Sequence, residues 1–198
     1  MQKIGIICAM QEELDSIIGQ LHLECKVEGK QQFTVYKANY LHLELIFILC
    51  GIGKVNAAIH TQYLIDTYTP NYIVNVGVAG SLSQDLLFGD VVIAADLVHH
   101  DMDVRGFGIA LGQIPRMDVF AFSSDQHLLS KAKTISHNEY NIVTGRIATG
   151  DQFIDDKEKA KFLAKEFDAI ACEMEGAAIA HVCYLNKLPV CVIRSLSD

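Results

Sequence analysis

The sequence is poor in positive charge, and this scarcity excludes one broad class of function. Sixteen lysines and arginines stand against 24 aspartates and glutamates, which gives a formal net charge of −8. A general nucleic-acid-binding protein needs a basic face that neutralises phosphates. We therefore expect this protein to have no nucleic-acid partner.

Long hydrophobic runs are also missing, although 51% of the residues are hydrophobic. No run has the roughly 20 apolar residues that a helix needs to cross a bilayer. The first apolar stretch, residues 4–7, is too short for a signal peptide, and Glu12 and Glu13 follow it at once. The sequence therefore predicts a protein without a membrane segment.

Signatures of disulfide frameworks and metal sites are absent as well. The six cysteines form no CxxC pair, and most of them lie in apolar stretches. This usage is typical of buried, reduced thiols in a cytoplasmic protein. The eight histidines include no HExxH motif, and the one dense cluster is His99-His100-Asp101. We expect a cytoplasmic protein that binds no metal and no cofactor.

The sequence does contain a regular alternation of apolar strands and amphipathic helices. We predict strands at residues 3–9, 33–40, 41–50, 72–78, 90–98, 142–148, 169–173 and 188–193, and helices at 11–21, 53–68, 125–135, 154–166 and 176–186. In the second helix Val55, Ala58, Ile59 and Tyr63 share one face. This order predicts an α/β fold, a single three-layer domain with a central mixed twisted sheet flanked by helices.

Polar side chains follow two of these strands at the point where each strand ends. Glu173 and Glu175 surround a methionine after one strand, and Arg194 begins a polar stretch after the last one. Side chains at the carboxyl ends of strands face the crevice where ligands bind in α/β folds. If the chain is still extended there, Glu173 and Glu175 point to the same side. The sequence predicts a site for a small polar molecule.

Two further groups stand at strand ends. Glu12 follows the first strand, where the helix dipole alone explains an acid, but this position favours a functional role for Glu12 or Glu13. Residues 77–80 read Gly-Val-Ala-Gly, and such small side chains let a flat ligand lie against the backbone. For Gly51 and Gly53, a tight turn explains the glycines as well as a ligand site does.

Six motifs stand at these and other strand ends and turns: GIICAMQEE at 5–13, GIGKV at 51–55, GVAGS at 77–81, GDQFI at 150–154, EMEGA at 173–177 and RSLSD at 194–198. Taken together, they resemble those of the 5′-methylthioadenosine/S-adenosylhomocysteine nucleosidases, which belong to the nucleoside phosphorylase-like superfamily. The resemblance runs from the first residue to the last, in the family's order and spacing. It implies a single nucleosidase domain over residues 1–198, which we expect to lack the further C-terminal helix of the family.

The resemblance also implies a reaction. Water cleaves the N-glycosidic bond of methylthioadenosine or S-adenosylhomocysteine and releases adenine, so the partners are small adenine nucleosides. Asp198 matches the general acid that protonates adenine N7, and Ser197 matches the residue that positions it. Glu12 matches the residue that deprotonates the attacking water, and Arg194 lies near that water in the family. Glu12, Asp198 and Arg194 are therefore the predicted catalytic residues.

The remaining matches concern substrate binding. Glu175 matches the acid that holds the ribose hydroxyls, and Met174 lies against the sugar. Phe153 matches the aromatic residue that stacks on adenine, and the backbone of Ile154 reads its edge. The full predicted binding set is Ala79, Gly80, Phe153, Ile154, Glu173, Met174, Glu175 and Ser197.

A long irregular segment, residues 100–122, is expected to have a function of its own, since connections of this length are uncommon in compact domains. Within it Val104, Phe107 and Pro115 match residues that family dimers lend to the alkylthio pocket of the neighbour. The resemblance thus implies a homodimer.

Two other functions remain open. A nucleoside phosphorylase of the same superfamily would need arginines over a glycine-rich phosphate cradle, yet residues 5–14 hold no arginine and Val78 stands where many members carry a hydroxyl. A non-catalytic nucleoside-binding protein would be expected to lose Glu12 or Asp198, and both are present. The GVAGSL and GDQF motifs also resemble a subgroup of nucleosidases that cleaves aminodeoxyfutalosine.

Overall fold

Ten strands form one mixed sheet in the computed structural model, which describes residues 1–30 and 32–197. The strands are β1 (Gln2–Cys8), β2 (Lys26–Lys30), β3 (Phe33–Tyr40), β4 (Leu43–Leu49), β5 (Tyr72–Ser81), β6 (Val91–His99), β7 (Phe122–Ser123), β8 (Ile142–Thr149), β9 (Ala169–Glu173) and β10 (Val190–Leu196). The helices are α1 (Gln11–Gln20), α2 (Lys54–Tyr68), α3 (Gln126–Ala132), α4 (Lys157–Phe167) and α5 (Gly176–Asn186). The predicted α/β fold with a mixed sheet is confirmed.

The order of the strands closes part of the sheet into a ring. β5 pairs with β10, β10 with β6, β6 with β8, β8 with β9, and β9 returns to β5. From β5 the sheet continues through β1 and β4 to β3 and β2. Because β1, β4, β5 and β10 are parallel, their carboxyl ends lie at the same edge.

Small side chains allow α5 to lie close to the sheet. Its buried residues are Gly176, Ala177, Ala178, Ile179, Ala180 and Cys183. All of them except Gly176 join a core that includes Ile7 of β1, Ile48 of β4 and Leu64 of α2. Burying one aliphatic side chain of this size contributes about 1.5–3 kcal/mol. The Ala-rich sequence thus brings the first turn of α5 up to the strand ends.

The apolar face of α2 seen in the sequence is buried only in part, since Tyr63 packs against the core. Val55 and Ile59 are 68% and 50% exposed. The buried residues are Ala57, His60, Thr61 and Leu64. The His60 ring nitrogens lie 2.8 Å from the Asn56 oxygen and 2.9 Å from the Gln32 oxygen, so a polar side chain can be buried there. The helix therefore presents an apolar stripe to the outside of the chain.

The segment of residues 100–122 is irregular apart from a 3-10 turn at Arg105–Phe107 and the start of β7. It is partly anchored, because Leu111 is buried and Ile114 packs on the core. Phe107, in contrast, is 85% exposed.

No helix within residues 1–30 and 32–197 combines the length and the apolar composition that a membrane crossing requires.

Candidate active site

A cavity of about 310 Å³ opens where the ends of β1, β5, β9 and β10 meet. All eight residues of the predicted substrate-binding set line it: Ala79, Gly80, Phe153, Ile154, Glu173, Met174, Glu175 and Ser197. The expectation that Glu173 and Glu175 face one pocket therefore agrees with the geometry. The remaining lining residues are Ala9, Met10, Glu13, Ile52, Val78, Gln152 and Cys172.

The acid at the end of β1 that reaches this cavity is Glu13 and not the predicted Glu12. Glu12 is exposed and does not line the cavity. The Glu13 carboxylate accepts hydrogen bonds from the backbone N–H groups of Ala9 and Met10, both at 3.0 Å. Its other oxygen accepts the Val78 N–H at 3.1 Å. Our placement of Glu12 in the site was wrong by one residue.

The start of α1 explains this difference. Helix α1 begins at Gln11, so Glu13 is its third residue. A glutamate at that position reaches back to the free N–H groups before the helix. Glu12 is rotated from it by about 100° around the helix axis, which points its side chain to solvent. The sequence predicted a helix that begins at residue 11, and the third residue of that helix could have been recognised as Glu13.

The Glu173 side chain, at the end of β9, caps the start of α5. Its oxygens accept the N–H groups of Glu175 at 3.0 Å and Gly176 at 2.7 Å, and the Thr149 hydroxyl. The N-terminus of a helix also favours a negative charge. Burial alone raises the pKa of Glu173, but the Arg194 guanidinium and these hydrogen bonds hold it below its ordinary value. Glu173 thus stays ionised and fixes the N-terminus of α5.

Arg194 lies behind the cavity and does not line it, contrary to its predicted place beside the attacking water. It is 1% exposed, and its Nη2 donates to Glu173 and to the Asn75 side chain, both at 2.5 Å. Breaking such a buried pair from one side leaves a charge without its partner, at a cost of about 3–5 kcal/mol. The geometry makes Arg194 a support for Glu173.

Glu175 is the N-cap residue of α5, and its pKa is shifted in the opposite direction from that of Glu173. Burial and the neighbouring Glu173 carboxylate raise its pKa to about 7. One oxygen accepts the N–H of Gly53 at 2.8 Å. Gly53 precedes α2 with φ +98°, a conformation that favours glycine, so this turn is specified by the residue type. Glu175 is therefore held in place, and its carboxyl group titrates near neutral pH.

The segment that follows β8 also lines the cavity. Phe153 is 78% exposed, and Gln152 and Ile154 lie beside it. Asp151 anchors the segment, since its N–H donates to Asp101 at 2.9 Å and its carboxylate accepts the Lys54 N–H at 2.8 Å.

The other predicted residues are not brought to the cavity within this chain. Val104 is half-buried, Phe107 and Pro115 are exposed, and none of the three lines the cavity. Asp198 lies outside the described residues. The preceding residue, Ser197, does line the cavity, and its N–H donates to Ala79 at 3.0 Å.

Several lining residues had no separate signal in the sequence. Ala9 and Ile52 are apolar members of the recognised motifs and Cys172 directly precedes one, and only the fold shows that they face the cavity. Val78 is 40% exposed and contributes its side chain to the wall as well as its N–H to Glu13. Among the described residues no three His, Cys, Asp or Glu side chains are grouped so that they could hold a metal ion.

Comparison with known proteins gives consistent matches. A model of the phosphorylase superfamily matches residues 3–198. The 5′-methylthioadenosine/S-adenosylhomocysteine nucleosidase of Maridesulfovibrio salexigens is 40% identical over 199 residues, covering 99% of this chain and 85% of that protein.

Two solved structures from Helicobacter pylori are similar over the whole chain. One is a 5′-methylthioadenosine/S-adenosylhomocysteine nucleosidase with butyl-thio-DADMe-Immucillin-A, at a TM-score of 0.95 and 38% identity, covering 100% of this chain and 85% of that one. The other is described as a futalosine hydrolase, at a TM-score of 0.94 and 37% identity, covering 100% and 84%.

Proposed function

Because the chain belongs to the 5′-methylthioadenosine/S-adenosylhomocysteine nucleosidases of the phosphorylase superfamily, we propose that its cavity hydrolyses the N-glycosidic bond of these two nucleosides. The products are adenine and the ribose that carries the 5-thio substituent. The observation that supports this most strongly is the arrangement of Glu13, Glu175 and Phe153 around one cavity of about 310 Å³. The Glu13 carboxylate is available for the attacking water, Glu175 for the ribose and the Phe153 ring for adenine.

The leaving group sets the first requirement of the reaction. Adenine leaves poorly as an anion, so a proton must reach N7 as the bond between the sugar and the base breaks. By resemblance we assign this proton transfer to Asp198, which directly follows the cavity-lining Ser197.

The attacking water sets the second requirement, and we assign it to Glu13. Three backbone N–H groups, from Ala9, Met10 and Val78, orient the Glu13 carboxylate at the cavity. As the water oxygen bonds to the anomeric carbon, its proton passes to this carboxylate. The negative charge also stabilises the positive charge that develops on the sugar. Glu13 thus takes the role that the resemblance implied for Glu12.

The substrate is held by the walls of the cavity. We assign the ribose hydroxyls to Glu175, which the Gly53 N–H fixes in place, and the sugar face to Met174. Phe153 and Ile154 form the side that takes the adenine ring.

A second substrate is supported by the similarity to the Helicobacter pylori protein described as a futalosine hydrolase. We propose that the same cavity also accepts aminodeoxyfutalosine. Its purine-ribose part would use the same contacts, and only the 5′ substituent would differ.

We propose further that the protein is a cytoplasmic homodimer. The exposed apolar side chains of Val55, Ile59 and Phe107 support an association between chains. In such a dimer Val104, Phe107 and Pro115 of one subunit would extend the 5′ side of the other cavity.

The proposal is tested by incubating the protein with methylthioadenosine, S-adenosylhomocysteine and aminodeoxyfutalosine, each with and without phosphate, and by identifying the sugar product. We expect adenine and a free sugar from all three nucleosides, at a rate that does not depend on phosphate. A sugar 1-phosphate would establish a phosphorylase instead. Binding without turnover would establish a non-catalytic nucleoside-binding protein.

A further inference from the structure

Gly77 lies in β5 directly behind the Glu13 carboxylate. A Cβ atom built on Gly77 would stand 2.7 Å from the Glu13 Oε1 and 3.3 Å from its carboxyl carbon. The same Oε1 accepts the N–H of Val78, the next residue of β5. The carboxylate therefore rests against the bare backbone of the strand.

The backbone conformation does not explain why glycine occupies this position. Gly77 is not among the residues with positive φ, so any L-amino acid could adopt its conformation. Glycine also weakens a strand, because it loses more conformational entropy on folding and offers no side chain to pack. What glycine provides here is the space next to Glu13.

We propose that Gly77 is a positioning residue for hydrolysis, whose missing side chain leaves the place that the Glu13 carboxylate occupies. This inference rests on the proposed role of Glu13 and adds a residue that does not touch the substrate.

The size of the expected displacement follows from the distances. For an ordinary contact the methyl group and Oε1 would have to separate from 2.7 to at least 3.4 Å, a shift of about 0.7 Å. The methyl group would meet Arg194 Nη1 at 3.4 Å, which is already an ordinary contact. We therefore expect the end of the flexible Glu13 side chain to shift away from this methyl group.

The test is Gly77→Ala, with Gly19→Ala as the matched control. Gly19 lies in α1, the helix that carries Glu13, and a Cβ there would meet nothing within 4 Å. Because a displacement near 1 Å can cost about 100-fold in rate, we expect Gly77→Ala to lower kcat for methylthioadenosine by 10- to 100-fold. The Kd of adenine, measured by calorimetry, should change less than about twofold, because the adenine wall is untouched. Gly19→Ala should retain the wild-type kcat.

A double-mutant cycle shows whether the effect acts through Glu13. In a Glu13→Gln background the added Gly77→Ala should cause no further loss of the residual rate. A loss by the same factor as in the wild type would overturn the inference, and so would a wild-type kcat in Gly77→Ala. Wild-type turnover in Glu13→Gln alone would instead overturn the proposed role of Glu13, and the inference about Gly77 with it.

A folding defect would not obscure the result. If Gly77→Ala lowers Tm strongly, Glu13→Ala in the same chain removes the atoms that the methyl group meets. Recovery of the Tm of the Glu13→Ala single variant would support the contact. A double variant that stays as unstable as Gly77→Ala would overturn it.

Discussion

Glu12 and Glu13 are neighbours in the chain, but backbone N–H groups hold only Glu13 at the cavity. The pair therefore offers a matched comparison at the scale of one residue. Glu13→Gln keeps the shape of the side chain and removes its ability to accept a proton from water. We expect kcat for methylthioadenosine to fall by about 10²- to 10⁴-fold, the usual contribution of a general base.

Glu12→Gln is the control, and steady-state kinetics with both variants is the measurement. We expect Glu12→Gln to keep wild-type kcat and KM, because its side chain is exposed at the first turn of α1. A large loss in Glu12→Gln together with normal turnover in Glu13→Gln would return the role to Glu12.

Glu175 makes the stability of the protein depend on pH. Its pKa is raised from an ordinary 4.5 to about 7, chiefly by burial and then by the Glu173 charge. Between these two pH values the folded state binds a proton that the unfolded state has released, so the free energy of unfolding falls as pH rises. At 1.36 kcal/mol per pKa unit, this loss is about 3 kcal/mol at most.

Glu175→Gln should abolish this loss, since glutamine is neutral at every pH and can still accept the Gly53 N–H. We expect the Tm of the variant to exceed that of the wild type at pH 8 by several degrees, and the difference to shrink at pH 5. Thermal unfolding at both pH values measures it, with Glu166→Gln on the exposed face of α4 as the control. A difference that is the same at both pH values would contradict the assignment to Glu175. The variant should also raise KM, because it replaces the acid assigned to the ribose.

At the scale of elements, the N-terminus of α2 connects three parts of the site. The N–H of Gly53 donates to Glu175, and the N–H of Lys54 donates to Asp151. The Lys54 ammonium lies 2.5 Å from Asp101, which also accepts the Asp151 N–H. Burial alone raises the pKa of Asp101, but Lys54 and the Asp151 N–H outweigh it and hold that pKa below its ordinary value. The segment that carries Phe153 is thus tied to α2 through Asp101.

Asp101→Asn should loosen this connection. The amide cannot pair with the Lys54 charge, so the segment after β8 loses part of its support. We expect KM for methylthioadenosine to rise about 3- to 10-fold with kcat changed less than twofold, and the free energy of unfolding to fall by about 1 kcal/mol. Kinetics and denaturant unfolding measure the two effects, with the exposed Asp118→Asn as the control in the same segment. A fall in kcat at unchanged KM would place Asp101 in the chemical step instead.

The elements show how far a sequence of this kind can be read. β3, β9 and α5 begin and end where the apolar patterns predicted. Asp168 precedes β9, and Glu175 and Lys187 flank α5, so charged residues mark these bounds. β2 was not predicted, since its sequence KVEGK has no apolar alternation and it pairs only at the edge of the sheet. The stripe of Val55 and Ile59 was visible, but periodicity could not show that α2 buries its other face.

The same division applies to the site. The strand ends predicted that Glu173 and Glu175 lie at a ligand site, and the resemblance to the nucleosidases implied the rest of the substrate-binding set. All eight residues line the cavity, because the carboxyl ends of strands converge in this fold. Helix phase decided between Glu12 and Glu13, and it depends on where α1 begins. The place of Arg194 depends on Asn75 and Glu173, which come from distant strands. Such a three-way contact carries no local signal in the sequence.

At the scale of the whole molecule, the closed ring of β5, β10, β6, β8 and β9 forms one side of the cavity. Buried polar contacts link its strands, since Arg194 of β10 reaches Asn75 of β5 and Glu173 of β9. Val104, Phe107 and Pro115, which the resemblance places at the 5′ side of a neighbour's cavity, do not line the cavity of their own chain. The Lys54–Asp101 pair brings the apolar stripe of α2 next to the segment that carries Phe107. A second copy of the chain is therefore the partner that we expect on this side.

A mixed dimer tests whether Phe107 acts in its own subunit or in the neighbour. Phe107→Ser should raise KM for methylthioadenosine more than KM for adenosine, since only the former has an apolar 5′ substituent. Glu13→Gln should be inactive while keeping Phe107 intact. When the two variants are co-expressed with different tags and the mixed dimer is isolated, the cavity with Glu13 receives the phenylalanine of the partner subunit. We expect this species to have about half the wild-type kcat per dimer with the wild-type KM for methylthioadenosine, because one of its two sites is complete. If Phe107 acts within its own chain, the mixed dimer will keep the raised KM. If the protein is monomeric, no species carrying both tags will form.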